Sequence, residues 1–133
     1  MNKTETIENI VLDLEYYSGQ DLYSDGQIED EILNIVKEHK EDEFNSIIFE
    51  SHSWPILYHL SHMRQNIVDI IPFEKSDRVL EIGSGCGAIT GAIAKRVDRV
   101  DCIELSKKRS TINAYRNKQY DNIKIKVGNF EDI

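Results

Sequence analysis

Three glycines at alternate positions form the most informative pattern in this sequence. They follow a short apolar run containing one acid, so that the order is Glu81, Gly83, Ser84, Gly85, Gly87. A strand that ends in such a loop and opens onto a helix is suited to a nucleotide-like ligand, because glycine permits a sharp turn and a close backbone approach. The acid beside the loop suits a ligand with a cationic group. We therefore expect these five residues to contact such a ligand.

A second acid lies at the spacing that nucleotide binding requires. Residues 100–104 are predicted to form a second strand that ends in Glu104, 21 residues after Gly83. In nucleotide-binding sheets an acid about 20 residues after the glycine loop accepts hydrogen bonds from the ribose hydroxyls. We expect Leu105 to contact the same ligand. The alternative for Glu104 is a strand end that faces solvent.

The segment 79–87 resembles the first motif of the class I methyltransferases, which bind S-adenosylmethionine. The ammonium and sulfonium of this cofactor suit Glu81, whereas a pyrophosphate would be repelled by it. The alternation in 123–127 predicts a third strand. The resemblance then implies that Asn129 and Phe130, after that strand, hold the adenine.

Two alternatives to the methyltransferase interpretation stay open. Gly83, Gly85 and Ala88 satisfy the weaker G-x-G-x-x-A pattern of dinucleotide-binding loops, which favours half of an NAD-dependent oxidoreductase. The second alternative is a non-catalytic interaction module that uses the N-terminal region as its binding surface.

The order of elements predicts an α/β fold. Strands alternate with helices after residue 75, which indicates parallel strands with right-handed crossovers. We expect the N-terminal half of a doubly wound parallel sheet, with about three strands. Residues 1–51 are predicted to be a helical region, and residues 52–133 the core with its preceding helix. That helix should begin near Ser53 and end at Pro72, with a buried face made by Leu57, Leu60, Ile67, Val68 and Ile71.

The resemblance covers residues 52–133 and only about the first three of the seven strands in the class I sheet. A fragment of this kind is expected to be inactive alone, and we assign no catalytic residue. The strand at 78–82 would be an open edge, which favours pairing with a second copy of the chain.

Composition limits the partners. The net charge of −8 argues against a broad nucleic-acid-binding face, so we expect no nucleic acid and favour a glycan or small-molecule methyl acceptor. No apolar run is long enough to span a membrane, and the N-terminus lacks a signal-peptide pattern, which favours the cytoplasm. Cys86 and Cys102 are expected to be free thiols, and no spacing indicates a metal site.

Overall fold

A computed structural model describes residues 3–21 and 26–133 of the chain, and its first element is a β-hairpin. Strands β1 (Thr4–Ile7) and β2 (Ile10–Asp13) pair antiparallel, with Thr4 opposite Asp13. Glu8, at the turn, has a φ of 51°. The prediction that residues 1–51 are helical is therefore wrong for this segment. Ile7, Ile10, Val11 and Leu14 follow the helical spacing i, i+3, i+4, i+7, whereas Ile10, Leu12 and Leu14 alternate as in a strand, so the pattern was ambiguous.

The hairpin extends a five-stranded sheet. Strands β3 (Arg78–Ile82), β4 (Arg99–Glu104) and β5 (Ile123–Val127) follow, and the spatial order is β1-β2-β5-β4-β3. Every pair other than β1–β2 is parallel. The predicted α/β fold with a mainly parallel sheet is confirmed, but the sheet has five strands instead of about three. The two extra strands are the hairpin, and β2 joins the sheet through β5.

The helices lie between and before the core strands. They are α1 (Gln27–Glu38), α2 (Phe44–Ser51), α3 (Trp54–Leu60), α4 (Asn66–Asp69), α5 (Thr90–Ala94) and α6 (Lys107–Arg116). Helix α1 packs against α6, where buried Glu29 pairs with Arg109 and Asp30 pairs with Lys108 at 2.8 Å. No helix among the described residues is long and apolar enough to cross a membrane.

Alternation along the strands builds the main core. Inward-facing residues of β2, β4 and β5 pack with α5 and α6, and the fully buried ones are Ile10, Leu12, Val100, Cys102, Ile125 and Val127. A second apolar cluster joins α1, α2 and α3 to the glycine loop and α6, through Ile32, Val36, Phe44, Ile56, Leu60, Cys86 and Ile112. Both clusters lie against the elements that position the glycine loop.

The segment before the core differs from the single helix predicted for it. Helix α3 ends at Leu60, and the hydroxyl of Ser61 accepts the N–H of Met63 to begin a short 3₁₀ turn. Leu60 and Val68 are buried, as predicted. The break rotates the residues after it, so Ile67 and Ile71 are exposed, and Leu57, which lies before the break, is exposed as well. The predicted buried face is therefore wrong at Leu57, Ile67 and Ile71.

Strand β3 is an edge strand, as the sequence predicted. Leu80 and Ile82 are 56% and 54% exposed on it. Pairing of this edge with a second chain stays a prediction from the sequence, as does the division of the chain at residue 51.

Candidate cofactor site

The glycine loop begins where β3 ends. Gly83 has a φ of 75°, a left-handed backbone conformation that side chains with a Cβ rarely adopt. Its N–H donates to the carbonyl of Ile103 at 2.8 Å, which ties the start of the loop to the neighbouring strand. The turn therefore requires glycine at this position, as the sequence predicted.

Gly87 is required for a close approach that the sequence did not indicate. A Cβ on Gly87 would lie 2.3 Å from Oδ1 of Asn113, on α6, and 2.8 Å from Nδ2 of Asn117, the residue that caps the C-terminus of α6. The loop thus packs against two buried asparagines, and Gly91 on α5 makes a similar approach to Asn117.

Glu81 lies on the helix-covered face of β3, opposite Cys102 on β4. Its Oε1 accepts a hydrogen bond from Oγ1 of Thr90 at 2.6 Å and faces the Cys102 thiol at 3.6 Å. Burial raises the pKa of Glu81 above its usual 4.5, and the bonds from Thr90 and Cys102 and the charge of Arg64 oppose this shift. In the described part of the chain, Oε2 accepts no hydrogen bond, so one oxygen is anchored while the other remains available to a ligand.

Glu104 anchors the loop from the next strand. Its Oε1 accepts the N–H of Gly85 at 3.0 Å, and its Oε2 accepts the N–H of Ser106 at 2.7 Å. The side chain is buried, so it does not simply face solvent as the alternative supposed. A carboxylate has about four acceptor positions, so two remain after these bonds. Glu104 can therefore hold the loop and still accept hydroxyl donors.

Ser84 and the cysteines lie inside the loop region. The Oγ of Ser84 is buried and has no hydrogen-bond partner within the described residues. Burial raises the pKa of Cys86 to about 12 and that of Cys102 well above its usual value. Both cysteines are free, as predicted, and both thiols stay protonated, so neither is a nucleophile here.

The remaining predicted residues lie at the carboxyl ends of β4 and β5. Leu105 is 36% exposed and Phe130 is 52% exposed, so both present apolar surface to solvent. Oδ1 of Asn129 accepts the N–H of Glu131 at 2.9 Å. The N–H of Gly128 donates to the carbonyl of Glu104, which joins the two strand ends. The nine predicted residues thus lie on three neighbouring strand ends, and their contact with a cofactor stays a prediction.

Three buried polar residues near the loop were missed by the sequence reasoning. Thr90, Asn113 and Asn117 are at most 2% exposed and form hydrogen bonds that end at Glu81. The available signal was the spacing of the asparagines. Two amides four residues apart on a helix, beside buried Ile112 and Ala114, indicate a polar group inside the core.

The pre-core segment has no metal site among its described residues. His62 lies 2.6 Å from Oε2 of Glu41, while Arg64 stacks on the Tyr58 ring with its guanidinium carbon 4.8 Å from the ring centroid. No group of three potential metal ligands occurs in the ranges 3–21 and 26–133. The sequence 24–27, with Ser24 and Gln27 three residues apart, is typical of a helix-capping box, and Ser24 lies outside those ranges.

Comparison with known proteins identifies a matching family. The sequence model described as "Ribosomal RNA adenine dimethylase" matches residues 59–130, more than half of the chain. "Ribosomal RNA small subunit methyltransferase A" of Streptococcus equi subsp. zooepidemicus is 34% identical over 65 residues, 49% of this chain and 22% of that protein. The protein of the same name from Fusobacterium nucleatum is 37% identical over 41 residues, 31% of this chain and 16% of that protein. The matched segments thus cover about a fifth of these curated relatives.

Solved structures show the same fold. Phosphoethanolamine N-methyltransferase 1 of Haemonchus contortus, solved with phosphoethanolamine and S-adenosylhomocysteine, matches with a TM-score of 0.50 at 20% identity, over 70% of this chain and 22% of that one. Precorrin 8W decarboxylase of Methanobacterium thermoautotrophicum has a TM-score of 0.50 at 23% identity, over 54% and 40% of the two chains. The predicted class I methyltransferase fold is confirmed, and the matched family is S-adenosylmethionine-dependent.

The comparisons contradict the predicted partners. The matched family and relatives are named for methylation of ribosomal RNA, so the expectations of a glycan or small-molecule acceptor and of no nucleic acid are wrong. The error came from treating net charge as a description of the surface. Despite the overall −8, Arg78, Arg99, Lys124 and Lys126 line one depression on the sheet, and the one acid among its described lining residues, Asp101, pairs with Arg99. A sum of charges does not show where cations concentrate.

Proposed function

Because the chain belongs to the ribosomal RNA adenine dimethylase family, we propose that it binds S-adenosylmethionine for methyl transfer to adenine in ribosomal RNA. The observation that carries the proposal is a glycine loop flanked by Glu81 and Glu104 on adjacent parallel strands, inside the segment matched by the family. A ribosomal RNA substrate implies a cytoplasmic protein, and we include that location in the proposal.

The residues present fit the cofactor. The unbonded oxygen of Glu81 suits the cofactor's ammonium group, and the remaining acceptor positions of Glu104 suit the two ribose hydroxyls. Leu105 and Phe130 offer exposed apolar surface for the adenine ring, and Asn129 offers a side-chain amide at its edge. When bound, S-adenosylmethionine supplies an activated methyl group, so the main task of these residues is to hold and orient it.

The acceptor atom follows from the chemistry of adenine. The exocyclic amine is the adenine nitrogen that can carry two methyl groups and remain neutral. A dimethylase should therefore modify that amine. We assign no general base for its proton among the described residues.

The cofactor is tested by calorimetry. S-adenosylhomocysteine should bind the chain saturably, whereas NAD should not. Replacing Glu81 by Gln removes one charge-assisted contact and should weaken binding by roughly tenfold to a hundredfold. Glu131→Gln removes an exposed acid outside the proposed contacts and is the matched control. Saturable NAD binding without S-adenosylhomocysteine binding would favour the oxidoreductase alternative instead.

The acceptor is tested with the intact protein that carries this chain. It is incubated with S-adenosylmethionine labelled in its methyl group and with a small-subunit ribosomal RNA transcript, and the RNA is then digested to nucleosides. The proposal predicts label in dimethyladenosine. Saturable binding of S-adenosylhomocysteine with no label in adenosine would contradict the RNA acceptor while leaving the cofactor assignment intact.

A further inference from the structure

A continuous chain of hydrogen bonds runs from the glycine loop through α6 to Glu81. Nδ2 of Asn117 lies 3.4 Å from the Gly87 carbonyl and 2.7 Å from Oδ1 of Asn113. Nδ2 of Asn113 donates to Oγ1 of Thr90 at 3.1 Å, and Thr90 donates to Oε1 of Glu81 at 2.6 Å. Thr90 and Asn113 are fully buried, and Asn117 is 2% exposed.

The direction of every bond in this chain is fixed. The Gly87 carbonyl can only accept, so the NH₂ group of Asn117 must face it. That NH₂ group also donates to Asn113, whose own NH₂ group must then point to Thr90. The Thr90 hydroxyl has one proton, and because its oxygen already accepts from Asn113, that proton is free to go to Glu81.

We propose that Thr90, oriented by Asn113 and Asn117, is a positioning residue that fixes Oε1 of Glu81 as an acceptor and so aims Oε2 at the cofactor's ammonium group. This inference rests on the proposed cofactor. The hydrogen bond from Thr90 stabilises the ionised carboxylate, so it opposes the effect of burial on the pKa of Glu81. Cys102 on β4 and Arg64 after α3 are the other titratable groups that act on Glu81 within the described residues.

A purely structural role for these residues makes a different prediction. If these hydrogen-bonded side chains only filled space beneath the loop, their loss would weaken binding of every part of the cofactor equally, or would unfold the protein. If they position Glu81, their loss should weaken binding only of ligands that carry the ammonium group. The effect should also increase as the pH falls, because an undirected, half-buried Glu81 takes up a proton at a higher pH than the anchored one.

The test compares Thr90→Val, which removes the hydroxyl at similar volume, with Thr90→Ser, which keeps it. Each variant is titrated with S-adenosylhomocysteine and with 5′-methylthioadenosine, which lacks the amino-acid part, at one acidic and one alkaline pH. Thr90→Val should bind S-adenosylhomocysteine roughly tenfold to a hundredfold more weakly, with the larger loss at the lower pH. Its affinity for 5′-methylthioadenosine should change less than about twofold. Thr90→Ser should bind both ligands as tightly as the wild type.

Equal losses for both ligands, or no loss for either, would overturn this inference and leave the proposed cofactor standing. A wild-type chain that binds neither ligand would refute the proposed function and this inference with it. Should Thr90→Val fail to fold, Thr90→Cys keeps a small side chain with a much weaker donor. It should show the same selective loss, and an unselective loss would again overturn the inference.

Discussion

Replacing Glu104 by Gln should destabilise the fold as well as the cofactor site, because one buried carboxylate joins two elements. Its two oxygens accept the N–H groups of Gly85 and Ser106 at 3.0 and 2.7 Å. A glutamine offers one oxygen and one NH₂ group, so it can accept only one of these N–H groups. The other N–H would then face a second donor.

The expected loss in the free energy of unfolding follows from these two hydrogen bonds. A hydrogen bond to a charged group contributes about 1.5–3 kcal/mol, and a buried donor left unpaired costs about 1–3 kcal/mol. These terms overlap, so we expect a loss of about 2–4 kcal/mol in the free energy of unfolding. For a chain of this length that corresponds to a fall in Tm of roughly 6–20 °C.

Thermal denaturation followed by circular dichroism measures this loss directly. Glu131→Gln is the matched control, since Glu131 is exposed and only its backbone N–H is bonded. The control should change Tm by no more than about 2 °C. A Glu104→Gln variant as stable as this control would refute the conclusion that Glu104 anchors the loop.

Three further substitutions test other parts of the account by the same denaturation assay. Leu12→Ala should cost about 2–5 kcal/mol, because Leu12 is fully buried in the hairpin strand, and a near-neutral result would mean that the hairpin is not part of the core. Gly87→Ala should cost about 1–3 kcal/mol, because its Cβ would lie 2.3 Å from Oδ1 of Asn113, and wild-type stability would contradict that close approach. Arg116→Ala should cost about 2–3 kcal/mol, because it removes both the ion pair with Glu41 at 2.5 Å and the buried hydrogen bond to the His59 carbonyl at 2.8 Å, and an unchanged Tm would show that these contacts add no stability.

The sequence predicted the strand, the turn and the strand-end acids whose positions depend on residues nearby in the chain. Strand β3 was expected at residues 78–82 and is found there, and the left-handed turn at Gly83 explains why glycine marks its end. The acids at Glu81 and Glu104 could be placed because parallel strands bring their carboxyl ends to one edge of the sheet.

The parts that were missed depend on distant contacts. The hairpin strands have four residues each, and β2 joins the sheet by pairing with β5, which lies more than a hundred residues later in the sequence. The polar chain under the loop was missed because asparagine usually lies on a helix surface, and only the packed fold shows that Asn113 and Asn117 point inward.

The most direct test of the central claim is a crystal structure of the chain with S-adenosylhomocysteine. The account predicts the ribose hydroxyls within about 3.2 Å of the Glu104 carboxylate and the amino group within about 3.2 Å of Glu81. The adenine should lie between Leu105 and Phe130. A ligand bound elsewhere, or one in the loop that contacts neither acid, would contradict the assignment of this site.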